Sequence, residues 1–223
     1  VIIPVPLHIQ SSPQAALPIK VVLAGIVEHK VIGRFTFALD KSNLSHTTQV
    51  SRMELWPEGH QFQILSTSVM KQDGFQVQDE DVETEDGTDS ASVIAVYTKQ
   101  GADFTDRVTK TKKLYPLPKG WSLDDPSEAW FIFSKPKVGA ASTYCAFSTD
   151  KRKWIKRTRT YTGDTTIVVG GKKVTGHWLV VKDNDDGSDF SMVVDDQGMP
   201  LKFDAQGIEF IRTEDTPEPP GIS

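Results

Sequence analysis

Apolar residues along this chain recur mostly at every second position, the period of a strand that buries one face. Phe35, Phe37 and Leu39 alternate with other residues across 31–39, and Phe62 and Ile64 open a similar run across 61–70. Residues 19–29 (IKVVLAGIVEH) are apolar and β-branched almost throughout, with Gly25 inside. That composition predicts a buried strand, with a helix as the alternative. Pro57-Glu58-Gly59-His60 separates 47–57 from 61–70 as a hairpin loop, and 92–98 (SVIAVYT) returns to strand character. The pattern is densest near the C-terminus. Strand-like runs near 142–149, 152–162, 164–169, 172–182, 188–194, 199–204 and 207–213 are separated by Gly163-Asp164, Gly170-Gly171, Asp186-Gly187, Asp195-Asp196-Gln197-Gly198 and Asp204-Ala205-Gln206-Gly207. Gly and Asp supply the positive φ of tight hairpins, so consecutive hairpins should build an antiparallel meander. Val174, Gly176, Trp178 and Val180 share one strand face, and Phe190, Met192 and Val194 share another.

Three segments break the pattern. Asp125-Pro126-Ser127-Glu128 combines a capping residue, a proline at the first helical position and a glutamate at the third. This capping chemistry predicts a short helix through Trp130, Phe131, Ile132 and Phe133, with a core strand as the alternative. Between residues 73 and 89 lie eight acidic residues and no basic one, which predicts a mobile loop or edge. Near 100–122, Tyr115-Pro116-Leu117-Pro118 suggests a crossing connection. The expected organisation is an extended Pro-punctuated arm over 1–18, one wrapped β domain over 19–213, and a disordered tail over 214–223. Within the domain, an N-terminal sheet portion (19–100), a crossing segment with the helix (101–135) and a C-terminal meander (136–213) follow in order. The fold class expected is mainly β with one or two short helices: a curved antiparallel meander or half-barrel wrapping the aromatic helix.

Composition narrows function mainly by exclusion. The 223 residues carry a net charge of −5, so nothing global points to nucleic acid, and nucleic acid is not an expected partner. The single cysteine, Cys145, cannot form an internal disulfide or a metal site alone. No stretch is long and apolar enough to span a bilayer as a helix. The chain opens on Val1 rather than Met, as expected of a truncated, processed or trimmed chain; no signal peptide is visible, and for an exported protein one is presumed removed.

Candidate chemistry is sparse, and no cofactor is expected. Asp183, Asp185, Asp186 and Asp189 surround Gly187, but the register of a calcium loop fails and Val194 stands where a bidentate glutamate belongs. A polar hairpin turn explains them better. Cys145 and His177 are the one thiol–imidazole pair worth naming, and a buried structural cysteine beside an unrelated histidine is the simpler account. The basic segment 151–159 (KRKWIKRTR) is the most unusual local feature. On a strand it is a solvated charged face, a set of cations at a pocket mouth, or a partner for the acidic run. Lys156, Arg157 and Arg159 are its candidate anion contacts.

Taken together, residues 121–213 resemble uncharacterised bacterial exported families with an open β half-barrel. The resemblance rests on DDPSEAWFIF, on Lys135-Pro136-Lys137-Val138-Gly139, on Tyr144 and Phe147, on the basic strand with Trp154, on the Gly170-Gly171 hairpin, and on the closing VVDDQGMPLKFD with Gly207 and Ile211-Arg212. Those families are similar in turn to the Lol lipoprotein carriers, in which a curved sheet wraps a helix around an apolar cavity. The resemblance implies a periplasmic or extracellular setting and a hydrophobic or lipid-like ligand, and it carries no catalytic residues. Candidate lining residues are Trp130, Phe133, Trp154, Trp178 and Phe203. The expected function is therefore a non-catalytic exported protein that binds such a ligand. A cell-envelope interaction or structural module with a protein partner is the alternative, and an enzyme of unfamiliar type the third.

Overall fold

The computed structural model describes residues 19–43, 45–71, 75–123 and 130–219, with 132 and 133 described by backbone alone. The arm 1–18, the Asp73-Gly74 turn, the capping segment 125–128 and residues 220–223 lie outside the described residues. The elements are β1 (Ile19–Val27), β2 (Lys30–Asp40), β3 (His46–Leu55), a 3-10 turn (Pro57–Gly59), β4 (Phe62–Lys71), β5 (Gln76–Glu85), β6 (Thr88–Thr98), β7 (Gly101–Asp106), β8 (Thr111–Pro116), one helical turn α1 (Trp130–Ser134), β9 (Ala141–Ser148), β10 (Lys153–Val169), β11 (Lys172–Asp183), β12 (Asp189–Val194), β13 (Pro200–Ala205) and β14 (Ile208–Thr213).

The strands form one antiparallel sheet in the order β8-β7-β6-β5-β4-β3-β2-β1-β14-β13-β12-β11-β10-β9. Most ladders are local hairpins, as the turn residues predict; Gly170 and Gly171 both take positive φ between β10 and β11. The β1–β14 ladder, with Val22 opposite Thr213 and Ile26 opposite Glu209, joins the two halves. The sheet does not close: β8 and β9 are its free edges. The β8 edge carries Lys112, Lys113 and Pro116, residues that discourage pairing with another strand.

Strong curvature gives the sheet an inside. Phe35 on β2 packs edge-on against Phe203 on β13, with ring centroids 4.9 Å apart, although β1 and β14 lie between them. In a flat sheet three strand spacings would separate those rings by roughly 14 Å. Bulges at Gly25/Ile26, Val69/Met70, Glu83/Thr84, Tyr161/Gly163 and Val193/Val194 add bend and twist. Two glycines opposite each other on β1 and β2 allow the tightest part of the curl. A Cβ on Gly33 would lie 2.5 Å from the Glu54 carbonyl oxygen, and one on Gly25 would lie 2.9 Å from the Phe210 ring.

The curl continues until the two ends overlap. Tyr97 on β6 and Trp154 on β10 have nine strands between them in the sheet, yet their rings are 6.0 Å apart. Trp154 and its register partner Phe147 project from the outer face of β9–β10, opposite to the face that carries Ile155 and Ala146. They pack against Val93, Ala95, Tyr97, Ala102 and Phe104 on the inner face of β6–β7. The sheet is thus a scroll, with the β9–β10 end tucked inside the β6–β8 end. Polar contacts pin this seam. The Trp154 indole donates to the Tyr115 carbonyl at 2.9 Å, Arg152 donates to the buried Asp106 carboxylate at 2.8 Å, and the Thr149 hydroxyl donates to Asp81 at 2.6 Å.

Several expectations need correction. The acidic run is not a loop: most of it is β5, paired on both sides, with Ser66 and Ser68 facing Asp81 and Asp79. Asp79 and Asp81 share the lumen-side face of β5, where they are hydrogen-bonded, and Glu80 lies on the opposite face. Residues 101–116 form the β7–β8 hairpin, and the crossing follows Pro116, where the chain passes from the β8 edge of the sheet to β9 at the other edge. Gly163-Asp164 is a bulge inside the long β10, not a turn. The described part of the tail is held to the sheet, where Arg34 donates to the Pro217 carbonyl at 3.0 Å.

The seam should carry much of the stability. Trp154→Ala removes a buried aromatic and leaves the Tyr115 carbonyl without its donor, and it should destabilise by about 3–5 kcal/mol. Denaturant unfolding measures this; a loss under about 1 kcal/mol would show that the overlap is not structural.

Candidate functional site

Inside the scroll lies a chamber of about 330 Å³. Its walls follow from the register. Phe35 and Phe37 (β2), Met53 (β3), Leu179 (β11), Phe190 and Met192 (β12) and Phe203 (β13) occupy alternate, inward positions on their strands. The helical turn α1 closes part of this space. Trp130 and Phe131 are buried against Tyr161, Leu179 and Val194, and Phe131 meets the Tyr161 ring edge-on at 5.3 Å. The described helical turn thus packs its aromatic residues against the sheet.

The lumen is not uniformly apolar. Two polar cavities adjoin the chamber and share walls with it. One, of about 300 Å³, is lined by Lys151, Arg157, Arg159, Asp183 and Asp189, and shares Arg159, Phe190 and Met192 with the chamber. The other, of about 270 Å³, is lined by Ser66, Ser68, Asp79, Asp81 and Arg157 and shares Gln49 and Ser51 with the chamber. The inner surface is therefore amphipathic, with its polar share supplied largely by β3–β5 and by the basic strand β10.

A compact polar cluster stands beside α1. The Tyr161 hydroxyl donates to Asp164 at 2.5 Å; His177 contacts Asp164 through Nδ1 at 2.8 Å and Asp196 through Nε2 at 2.6 Å. Phe131 lies against the imidazole, with centroids 5.3 Å apart. Burial works against a charge on His177, but hydrogen bonds to Asp196 and Asp164 outweigh it and hold the imidazole above its usual range. Burial, then the Asp164 carboxylate, push the Tyr161 phenol up to about 12. The Tyr161 hydroxyl and then His177 hold Asp164 below the usual carboxylate range. The His177 ring is thus held between two carboxylates that favour its charged form. Cys145 takes no part. It pairs with Lys156 on β10 whereas His177 pairs with Asp164, well apart along the strand and on the opposite face.

The sequence-predicted residues divide. Phe203 lines the chamber, Arg159 lies where the chamber meets a polar cavity, and Arg157 lines both polar cavities. Trp130 is buried behind the wall, in the α1 cluster. Trp154 belongs to the seam, not to the chamber. Trp178 points outward from β11 and is 47% exposed. Lys156 also faces away from the lumen, with its ammonium 4.9 Å from the Trp121 ring centre. The side chain of Phe133 lies outside the described residues. The basic run meets two sets of aspartates: Arg157 lines a cavity with Asp79 and Asp81 of the acidic run, and the start of the run meets another set. Lys151 pairs with Asp186 at 2.9 Å and Lys153 approaches Asp185 at 3.4 Å, so the aspartates of the β11–β12 turn neutralise the start of β10. Phe35, Phe37, Met53, Leu179, Phe190 and Met192 line the chamber without a sequence signal for a cavity. Their alternation marks a buried face, but a buried face looks the same in sequence whether the space before it is filled or hollow.

Among the described residues no group of His, Cys, Asp and Glu is placed to hold a metal ion, and no helix is long and apolar enough to cross a membrane. No family model matches the chain, and no curated protein matches it. Among solved structures, the chain is similar to a beta-barrel-like protein of the domain of unknown function DUF1849 from Brucella abortus. The TM-score is 0.58 at 11% identity, over 90% of this chain and 96% of that one. A DUF1089 family protein from Pseudomonas aeruginosa aligns with a TM-score of 0.42 at 11% identity, over 92% of this chain and 97% of that one. The first likeness shows a shared fold: a large antiparallel sheet of β-barrel-like form, here left open as a scroll.

Proposed function

We propose that this chain is a non-catalytic carrier that shelters an apolar or lipid-like ligand in the chamber of its scroll, as an exported protein of a bacterial envelope. The observation that carries this is the hollow itself. Protein interiors are packed as densely as organic crystals, and voids much larger than a water molecule are few. A chamber of about 330 Å³ walled by Phe, Leu and Met falls within the size and chemistry of small-molecule sites. Methionine suits such a wall, because its flexible thioether adapts to ligands of varied shape. A non-catalytic role fits the His177 cluster, where both ring nitrogens are occupied by carboxylates. Lys151, Arg152 and Lys153, at and just before the start of β10, are matched within the chain by Asp186, Asp106 and Asp185. That favours a ligand inside the scroll over a charged protein partner outside it.

Delipidated protein should bind the neutral fluorescent probe N-phenyl-1-naphthylamine. Ser51 stands on the chamber wall, so Ser51→Trp should fill the space and weaken binding by about tenfold or more, while circular dichroism stays native. A probe that does not bind, or a variant that binds as well as the parent, would remove the carrier role.

The His177 cluster gives a separate expectation about stability. Its folded pKa is raised, so its stabilising contribution is complete below the unfolded value of about 6.5. That contribution is lost as pH rises through the folded value. His177→Gln should therefore lower the thermal midpoint most near pH 6, with the deficit shrinking by about pH 9. Thermal scans across that range test it, and a deficit that grows with pH would contradict a raised folded pKa.

A further inference from the structure

Arg159 is 8% exposed, lies where the apolar chamber meets the polar cavity, and has a buried Nε with no hydrogen-bond partner. Its guanidinium lies 5.8 Å from the Tyr144 ring centre, a cation–π contact that neutralises nothing. Among the described residues no carboxylate pairs with it. Asp183 lines the same polar cavity but is engaged with Lys151 at 3.6 Å and accepts the Asp185 backbone N–H at 2.9 Å. Arginine cannot escape by losing its proton, so it stays charged in this setting. A buried charge without a counter-charge is expensive, and a fold that keeps one gains when an anion arrives.

We propose that Arg159 binds the anionic head of an amphiphile whose single hydrocarbon chain fills the chamber, and that the head is a carboxylate. The assignment rests on the carrier function above and names the ligand class. The planar guanidinium fork matches the two oxygens of a carboxylate in a bidentate pair. Lys151, Arg157, Asp183 and Asp189 line the polar cavity beyond Arg159 and give the head a polar setting. The chamber is near the small end for ligand sites, which suits one chain rather than two. Phe190 and Met192, which line both spaces, mark the junction between chain and head.

The test compares tetradecanoate, tetradecanol and dodecyl phosphate by calorimetry on delipidated protein, with Arg159→Met and Arg159→Lys beside the parent. The parent should bind tetradecanoate about tenfold or more tightly than tetradecanol. Arg159→Met should erase that preference and leave tetradecanol binding within about twofold, while Arg159→Lys keeps part of it. Without ligand, Arg159→Met should melt no lower than the parent, because it removes an unpaired buried charge. A purely structural arginine would instead lower the melting temperature. If acid and alcohol bind equally to parent and Arg159→Met, the head-group role falls and the chamber stands. If none of the three binds the parent, the carrier function falls with it. If dodecyl phosphate outbinds tetradecanoate through Arg159, the carboxylate assignment is overturned in favour of a phosphate head.

Discussion

The burial of one end of the sheet against the other is the contact on which everything else in this molecule depends. A fourteen-strand antiparallel sheet has two faces and, unless it closes, two edges. Backbone closure would have removed the edges and made a barrel. Here closure is by side chains: Trp154 and Phe147 lie on Tyr97 and Phe104, so an outer face at one end covers an inner face at the other. Hydrophobic contact is non-directional, and this permits an overlap that no hydrogen-bond ladder would fit. The three polar contacts across the seam then fix its position. If the overlap came apart, the inner face of β6–β7 and the outer face of β9–β10 would meet water.

Much of this architecture is legible in the sequence, because period-two alternation and Gly/Asp turns are local signals. The hairpins from β9 to β14 follow from them nearly strand by strand, and the β3–β4 hairpin follows from Pro57-Glu58-Gly59. What escapes has a shared cause. β5 is hidden because its acidic residues suppress the apolar pattern, and its inner positions face a polar part of the lumen where Asp79 and Asp81 are hydrogen-bonded to Tyr97 and Thr149. Gly163 signals a turn by composition, but pairing on both sides of β10 overrides it and leaves a bulge. Trp154 illustrates the limit for the site. Its burial is foreseeable, yet the face it is buried on depends on a scroll whose ends are dozens of residues apart in the chain. Arg159 and Phe203 are placed at the chamber by the same register that sends Trp178 outward.

The lumen joins two chemistries on one continuous surface. Aromatic and thioether side chains from β2, β12 and β13 face one another across the apolar part, while serines and carboxylates of β3–β5 and cations of β10 line the rest. Such a surface distinguishes the two ends of a guest. An apolar guest has no preferred direction in an apolar cavity, whereas one with a charged end is oriented by the nearest uncompensated charge.

The strand order has a further consequence. Reading from β9 through β14, onward to β1 and so to β8, each strand is followed by its spatial neighbour. The molecule is therefore a circular permutation of a plain meander, opened in the middle of the sheet rather than at its edges. Joining Thr213 to Ile19 and cutting between β8 and β9 would give a chain whose every ladder is a hairpin. In the natural connectivity the β1–β14 ladder spans almost the whole chain, and it alone among the described ladders has that reach. Loop closure over such a distance is slow relative to hairpin zipping. Two half-sheets can thus mature separately, and the docking of β14 on β1 makes them one surface.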